Sequence, residues 1–258
     1  MLSYLHGFHA GNLADVHKHV TLAWVLAEMA GKPKPLSYLE THAGRGVYDL
    51  GSPEARKTGE AEAGIARAEG WFGADDPFAR VLAETRARFG AAAYPGSPLV
   101  AALSLRPEDR LTLAELHPRE HEALEATMRP FPARVERGDG LRMAVALAPP
   151  TPRRGLLLVD PSWEVKAEYE AVPATMEKVA RKWGVGVLML WYPLLPDARH
   201  APMLARLEAS FPQGLRHEVR FPPAREGHGM GGSGLFLVNP PWRVGERLGW
   251  LSTRFASL

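Results

Sequence analysis

Short apolar runs alternating with stretches of helical periodicity constrain this chain more than any other feature. Residues 36–40, 110–115, 133–136, 155–159, 186–190 and 235–238 are strand candidates, and the mixed polarity of 217–221 suits a strand pairing at an edge. Helical patterns cover 13–30, 117–128, 141–148, 169–183 and 203–211. Asn12 is placed to cap the first helix, with Asp15 near its positive end, and Gly31 ends it before the KPKP segment. Pro118 suits a first helical turn. Strands that alternate with helices in this way imply a largely parallel sheet covered on both faces.

One stretch breaks the rhythm. The chain between the first two strands is far longer than a single crossover requires. Residues 52–89 are mostly Ala, Glu, Arg and Gly at helical spacing. They read as an inserted helical subdomain, leaving 1–51 and 90–258 as the main domain. Such an insertion either grips a large substrate or pads the edge of the sheet. The 258 residues suffice for one sizeable core with a modest insertion of this kind.

Composition removes several classes of chemistry. The chain has no cysteine, which excludes disulfides, thiolate nucleophiles and Cys-ligated zinc. His6, His9, His17 and His19 cluster near the amino terminus, but no pair has zinc-protease spacing, so no metal is expected. The net charge of +2 permits a nucleic-acid partner without singling one out. The first apolar run, 20–29, is too short and too interrupted to span a membrane, so a cytoplasmic protein is expected.

In an open parallel sheet, ligands bind beyond the carboxyl ends of the strands. The first strand runs into ETHAGRGVYD (40–49), where Gly44 and Gly46 permit a tight turn. The second ends at Glu115, a position from which a carboxylate can take the two hydroxyls of a ribose. After the third come Gly138, Asp139 and Gly140, whose aspartate can accept from an adenine amine. The fourth ends in DPSW (160–163). Together these ends suggest a nucleoside-binding crevice, for a nicotinamide dinucleotide or for another nucleoside cofactor. DPSW favours an amine methyltransferase. The N6 amine of adenine is a poor nucleophile because its lone pair is delocalised into the ring. A carboxylate (Asp160) and a carbonyl (Pro161) accepting its two hydrogens draw the nitrogen toward a tetrahedral shape. An aromatic neighbour, Trp163, can stack on the base.

These residues also carry a resemblance. DPSW resembles the (D/N)PP(Y/F/W) motif of amino-methyltransferases acting on adenine. LSYLHGFHAGNLADVHKH at the amino terminus, THAGRGVYDLGS, YPGSP, ELHP, GDG and the late SGLFLVNPPW together resemble the bacterial 23S ribosomal RNA adenine-N6 methyltransferases of the J type. The resemblance implies a seven-stranded, mostly parallel, Rossmann-like class I methyltransferase sheet with a small helical insertion. It implies S-adenosylmethionine as cofactor and a single adenine of 23S ribosomal RNA as substrate, in naked or early-assembly RNA. It implies cofactor contacts at Lys18, His19, His42, Ser97, Glu115, Asp139, Gly140 and Asp160. Asp160 is the implied proton acceptor, with Pro161 and Trp163 beside it, and Tyr4 and His6 are implied on the substrate side. The family motif's second proline is Ser162 here, which removes a constraint on the turn.

NPPW (239–242) fits the generic motif more closely. Asp160 is preferred because it follows the ribose and adenine contacts in order along one crevice, whereas NPPW ends a last strand expected to be antiparallel. Trp191, like Tyr4 and Trp163, is a candidate platform for the base. Lys32, Lys34, Arg45, Arg56 and Lys57, then Arg153 and Arg154, are candidate contacts to the RNA backbone. The glycine-rich 227–234 segment reads as a loop beside the crevice. A monomer with no obligate protein partner is expected. Two readings compete: methylation of adenine in DNA, and a non-catalytic RNA-binding or assembly factor on a methyltransferase fold.

Overall fold

The computed structural model describes residues 6–222 and 230–258. The chain runs through α1 (Leu13–Ala30), β1 (Ser37–Glu40), β2 (Val47–Asp49), α2 (Pro53–Thr58), α3 (Glu60–Ala63), α4 (Ile65–Ala68), α5 (Pro77–Phe89), β3 (Ala93–Pro95) and α6 (Ser97–Ser104). It continues through β4 (Arg110–Glu115), α7 (Pro118–Met128), β5 (Ala133–Arg137), α8 (Gly140–Leu147), β6 (Gly155–Val159) and α9 (Glu168–Lys182). It ends with β7 (Val187–Pro193), α10 (Ala201–Ser210), β8 (Leu215–Arg220), β9 (Gly232–Val238) and α11 (Val244–Phe255).

Seven strands form one sheet in the order β5-β4-β1-β6-β7-β9-β8. The first five in that order pair in parallel, while β9 lies antiparallel between β7 and β8. This is the mostly parallel, helix-covered sheet expected from the sequence, with its antiparallel last strand and its edge strand. The chain order reverses at β1. Excursions to one side make β4 and β5, and those to the other make β6 and β7. The crevice beyond the carboxyl ends of β1 and β6 is therefore the topological switch point, where such sheets bind ligands.

Alternation along the strands builds two cores, one on each face. Tyr38, Leu111, Leu113, Leu156, Leu158 and Met189 join one apolar cluster with α1, α5, α6, α7 and α11. Leu39, Leu157, Val159, Leu188 and Leu190 join the other, with α8, α9 and α10. The buried strands read as continuous apolar runs because both faces are covered.

Several local details follow from chain chemistry. The Asn12 side chain accepts from the Asp15 N–H and caps α1, and Gly31 closes it. His117 caps α7 ahead of Pro118. Two features depart from the sequence reading. Val47–Asp49 and Ala93–Pro95 pair as an antiparallel ribbon, where the sequence had suggested only a turn. Residues 232–234, expected in a loop, begin β9, because they pair with both Val219–Arg220 and Tyr192–Pro193. Residues 227–229 of that expected loop lie outside the described residues.

Residues 53–89 are helical, and Ile65, Phe78, Val81 and Leu82 from them share the apolar cluster of α1. The segment is clamped to the turn ahead of α1 by the Ile65 N–H donating to the Gly11 carbonyl at 2.8 Å. Gly64 makes this possible: a Cβ there would lie 2.1 Å from the Gly11 oxygen and 2.7 Å from the Asn12 Cα. Gly64→Ala should therefore cost about 1–3 kcal/mol by overpacking, read as a lower urea midpoint at unchanged m-value.

A polar chain crosses the core beneath α1. Ser233 Oγ lies 2.8 Å from His17 Nδ1, His17 Nε2 lies 2.8 Å from His217 Nδ1, and His217 Nε2 lies 2.7 Å from Ser252 Oγ. Burial lowers the pKa of both imidazoles, most strongly at His17, where the neighbouring His217 adds to the effect. In the unfolded chain they titrate near 6.5, so stability is present above that value and is lost as the pH falls and only the unfolded chain takes up these protons. Urea midpoints should drop between about pH 7 and about pH 5.5, and His217→Gln should flatten that drop.

Candidate active site

One cleft at the switch point gathers His6, Lys18, His19, His42, Ser97, Glu115, Asp139, Gly140, Asp160 and Pro161. These residues come from the ends of four strands, from α1 and from the start of α6. Tyr4 lies outside the described residues.

The nucleoside side of the cleft is rigid. Glu115 ends β4, and its two oxygens accept the N–H groups of Gly44 at 2.8 Å and His117 at 2.7 Å. Burial raises its pKa, with those two N–H groups opposing the shift. Asp139 caps α8 through a single oxygen, Oδ1, which accepts from Leu141 at 2.9 Å and Arg142 at 3.1 Å. Gly140 follows directly against β1, since a Cβ there would lie 1.9 Å from the Thr41 oxygen. Leu116 is 50% exposed although large and apolar, and it lines the cleft between Glu115 and His117. A carboxylate for a ribose diol, an apolar side chain to pack a purine and a carboxylate for an exocyclic amine fit an adenosine group.

The reacting side is a buried charge network. Asp160, one residue beyond β6, accepts from Lys18 Nζ through Oδ2 at 2.6 Å. Lys18 also lies 3.2 Å from Asp15 Oδ1, and Asp15 Oδ2 meets His6 Nε2 at 2.7 Å and the Gly11 N–H at 3.0 Å. Burial works to lower the Lys18 pKa, but the two carboxylates outweigh it and hold the ammonium above its usual value. Burial works to raise Asp15, but His6, Lys18 and His19 hold it well below the usual carboxylate range.

The floor is neutral. His19 is held down to about 3 by burial, against the pull of Asp15, and its Nδ1 lies 3.0 Å from the Tyr94 hydroxyl. Burial brings His42 to about 4, and its Nδ1 lies 2.7 Å from Thr41 Oγ1. Burial pushes Glu40 up to about 8, opposed by hydrogen bonds from the Ser97 and Tyr38 hydroxyls.

Trp163 behaves differently from a stacking platform in this cleft. Its φ of 61° puts a bulky side chain in the left-handed region, a strain on the order of 1–3 kcal/mol. The ring is 3% exposed, packs on Tyr169 with centroids 4.7 Å apart and donates Nε1–H to the Trp191 carbonyl at 3.2 Å. It does not line the cleft and lies in the wall of a second cavity instead. Trp191 lines both spaces, with its Nε1–H on Ser233 Oγ at 2.9 Å and Lys18 Nζ 5.4 Å from its ring centroid.

The candidate RNA contacts divide. Arg45 makes two hydrogen bonds to Glu120, a residue of the cleft wall, and Lys57 lines the second cavity. Lys32, Lys34, Arg153 and Arg154 lie instead where β1 and β6 begin, at the opposite end of the sheet. There Arg106 and Arg154 bond the Lys34 carbonyl. NPPW is also away from the cleft: Asn239 Nδ2 holds the carbonyls of Gly184 and Gly186, and Trp242 is exposed. No group of three or more metal-ligating side chains occurs among the described residues.

Asp15, Glu40 and Leu116 are the residues that sequence reasoning undervalued. Asp15, Lys18 and His19 sit at i, i+3 and i+4, one polar patch on an otherwise apolar helix, and that pattern was the available signal. Tyr38 and Glu40 likewise share one face of β1. Trp191, a candidate platform from the sequence, does line the cleft.

Comparison with known proteins gives a consistent picture. The family model described as "Ribosomal RNA large subunit methyltransferase D, RlmJ" matches residues 33–257. The ribosomal RNA large subunit methyltransferase J of Escherichia coli (strain K12) is 38% identical, covering 98% of this chain and 94% of that protein. The protein of the same name from Haemophilus influenzae is 38% identical over 95% of this chain and 89% of its own length. A crystal structure of a Legionella pneumophila protein superposes with a TM-score of 0.84 at 35% identity, covering 96% of this chain and 94% of that one. An S-adenosylmethionine-dependent methyltransferase from Agrobacterium tumefaciens (TM-score 0.52, 12% identity, 90% of this chain and 64% of that one) shares the fold alone. This chain belongs to the ribosomal RNA large subunit methyltransferase J family.

Proposed function

We propose that the cleft transfers a methyl group from S-adenosylmethionine to the N6 amine of one adenine in 23S ribosomal RNA. One observation carries the assignment of the reacting residue. Asp160 stands in the same cleft as the adenosine-fitting trio of Glu115, Leu116 and Asp139, with one carboxylate oxygen held by Lys18. Family membership supports the activity, the cofactor and the RNA substrate.

S-adenosylmethionine supplies, when bound, an electrophilic methyl group on a sulfonium. Glu115 would hold its ribose, Leu116 and Asp139 its adenine, and His19, His42 and Ser97 the walls toward its methionine end. Lys18 fixes the rotamer of Asp160, so that Oδ1 is left to accept one hydrogen of the target amine while the Pro161 carbonyl accepts the other. These bonds strengthen as the nitrogen pyramidalises, and that difference between ground state and transition state lowers the barrier. The amine proton passes to Asp160 or to solvent after transfer, with no covalent enzyme intermediate. His6, linked through Asp15 to Lys18, faces the substrate side.

The adenine must leave its stack to reach Asp160. We assign protein-free or early-assembly RNA as substrate, a monomer as the working unit and the cytoplasm as its place. No described helix is long and apolar enough to cross a membrane. The 52–89 insertion is proposed to grip the RNA, since α2 and α3 from it flank the second cavity.

Purified protein with tritiated S-adenosylmethionine and unmodified 23S RNA should yield N6-methyladenosine at one site after nucleoside digestion. Asp160→Asn should lower kcat by about 10²–10⁴-fold with little change in cofactor affinity, and normal turnover in that variant would sink the assignment. Glu115→Ala should weaken cofactor binding by about 1.5–3 kcal/mol in calorimetry while kcat at saturating cofactor changes far less.

A further inference from the structure

We propose that the second cavity is a subsite for the nucleotide adjacent to the methylated adenosine, taking its base between aromatic rings and its phosphate at Lys57. This rests on reading the first cleft as an RNA-adenine site.

The two spaces adjoin. Asn12, Ser162, Trp191 and Met230 belong to the walls of both. An adenine delivered to Asp160 from a polynucleotide brings a neighbouring nucleotide with it, one backbone step away. Ser162 is the first residue past the reacting pair Asp160–Pro161 and lines both spaces, which puts this cavity beside the reacting end of the cleft. Its volume of about 570 Å³ falls in the range of about 300–1,000 Å³ for small-molecule sites.

The chemistry of its walls suits a nucleotide without regard to base identity. Phe8, Phe221, Trp163 and Trp191 are all among its wall residues, Trp163 being largely buried. Stacking on such rings is sequence-tolerant and contributes about 1–3 kcal/mol per base. Lys57 stands at the rim, on the insertion, with Nζ 6.0 Å from the Phe8 ring centroid, and is exposed enough to meet a phosphate. The acidic side chain of Glu60 is already engaged, by His9 Nδ1 at 2.8 Å and Asn12 Nδ2 at 3.0 Å. The placement of Trp163 fits this reading: the ring is off the first cleft and in the wall of the second cavity.

The test compares triadenylate with adenosine monophosphate, both binding in the presence of S-adenosylhomocysteine, by tryptophan fluorescence quenching. Two variants probe the cavity. Lys57→Glu reverses the rim charge, and Ala63→Phe fills the space from an exposed position on α3, away from the core. The parent should bind triadenylate about tenfold more tightly than the mononucleotide. Both variants should lose most of that advantage while keeping the parent's affinity for the mononucleotide and for cofactor, which also shows that they are folded. A parent with no preference for triadenylate overturns the proposal, as does a preference that survives in both variants. Failure of the parent to label 23S RNA is read in a separate assay and would overturn the underlying function instead.

Discussion

The ion pair between Lys18 and Asp160 joins the first helix to the central strand of the sheet, and the geometry of the cleft depends on it. Both groups are nearly buried, with side-chain exposures of 6% and 11%. Taking two charges out of water is costly, so such a pair is weak evidence of stability in itself. Asp15 completes the arrangement by flanking the ammonium from its other side, and His6 and Gly11 in turn satisfy Asp15. Two carboxylates share one ammonium, and the network closes onto the turn that precedes α1. A chemical group placed at the end of β6 is thereby held by a helix packed on another part of the sheet.

That connection explains how the 53–89 insertion bears on the cleft without lining much of it. Gly64 and Ile65 seat the insertion against Gly11 and Asn12, the residues that cap α1 and present Asp15. The segment thus packs against the turn that leads into the helix carrying Lys18. It also supplies Lys57 at the rim of the second cavity. Seating the turn ahead of α1 and bordering the second cavity are both properties of helices that the sequence offered either as a grip on a large substrate or as padding at the sheet edge.

Electrostatically the site divides into a charged strip and a neutral floor. The strip runs Asp15–Lys18–Asp160, with His6 Nε2 against Asp15. The floor comprises His19 and His42, with Glu40 buried beneath and bonded to Ser97, all three pushed by burial toward their uncharged forms. A cationic methyl donor would therefore meet its compensating charge at defined places, Glu115, Asp139 and Asp160, rather than in a diffuse acidic field. Preorganised charge of this kind needs no rearrangement as the reaction proceeds.

The sequence by itself determined the strand and helix alternation, the parallel core with its antiparallel end, and the polar residues at successive strand ends. These follow from local rules: periodicity, capping and the fact that buried strands read as unbroken apolar runs. DPSW and the segments around it were legible for the same reason, since the chemistry needs those groups in a short span. The tertiary structure alone decided which aromatic faces the cleft, because the rotamer and backbone of Trp163 answer to Tyr169 and the carbonyl of Trp191, residues distant or unmarked in the chain. It alone separated Lys57 from Lys32 and Lys34, cations of equal standing in the sequence but at opposite ends of the sheet. It alone joined Asp15 to Asp160 through Lys18, because a partnership between residues so far apart along the chain is set by how α1 packs against β9, α5 and α6, and no local pattern encodes that.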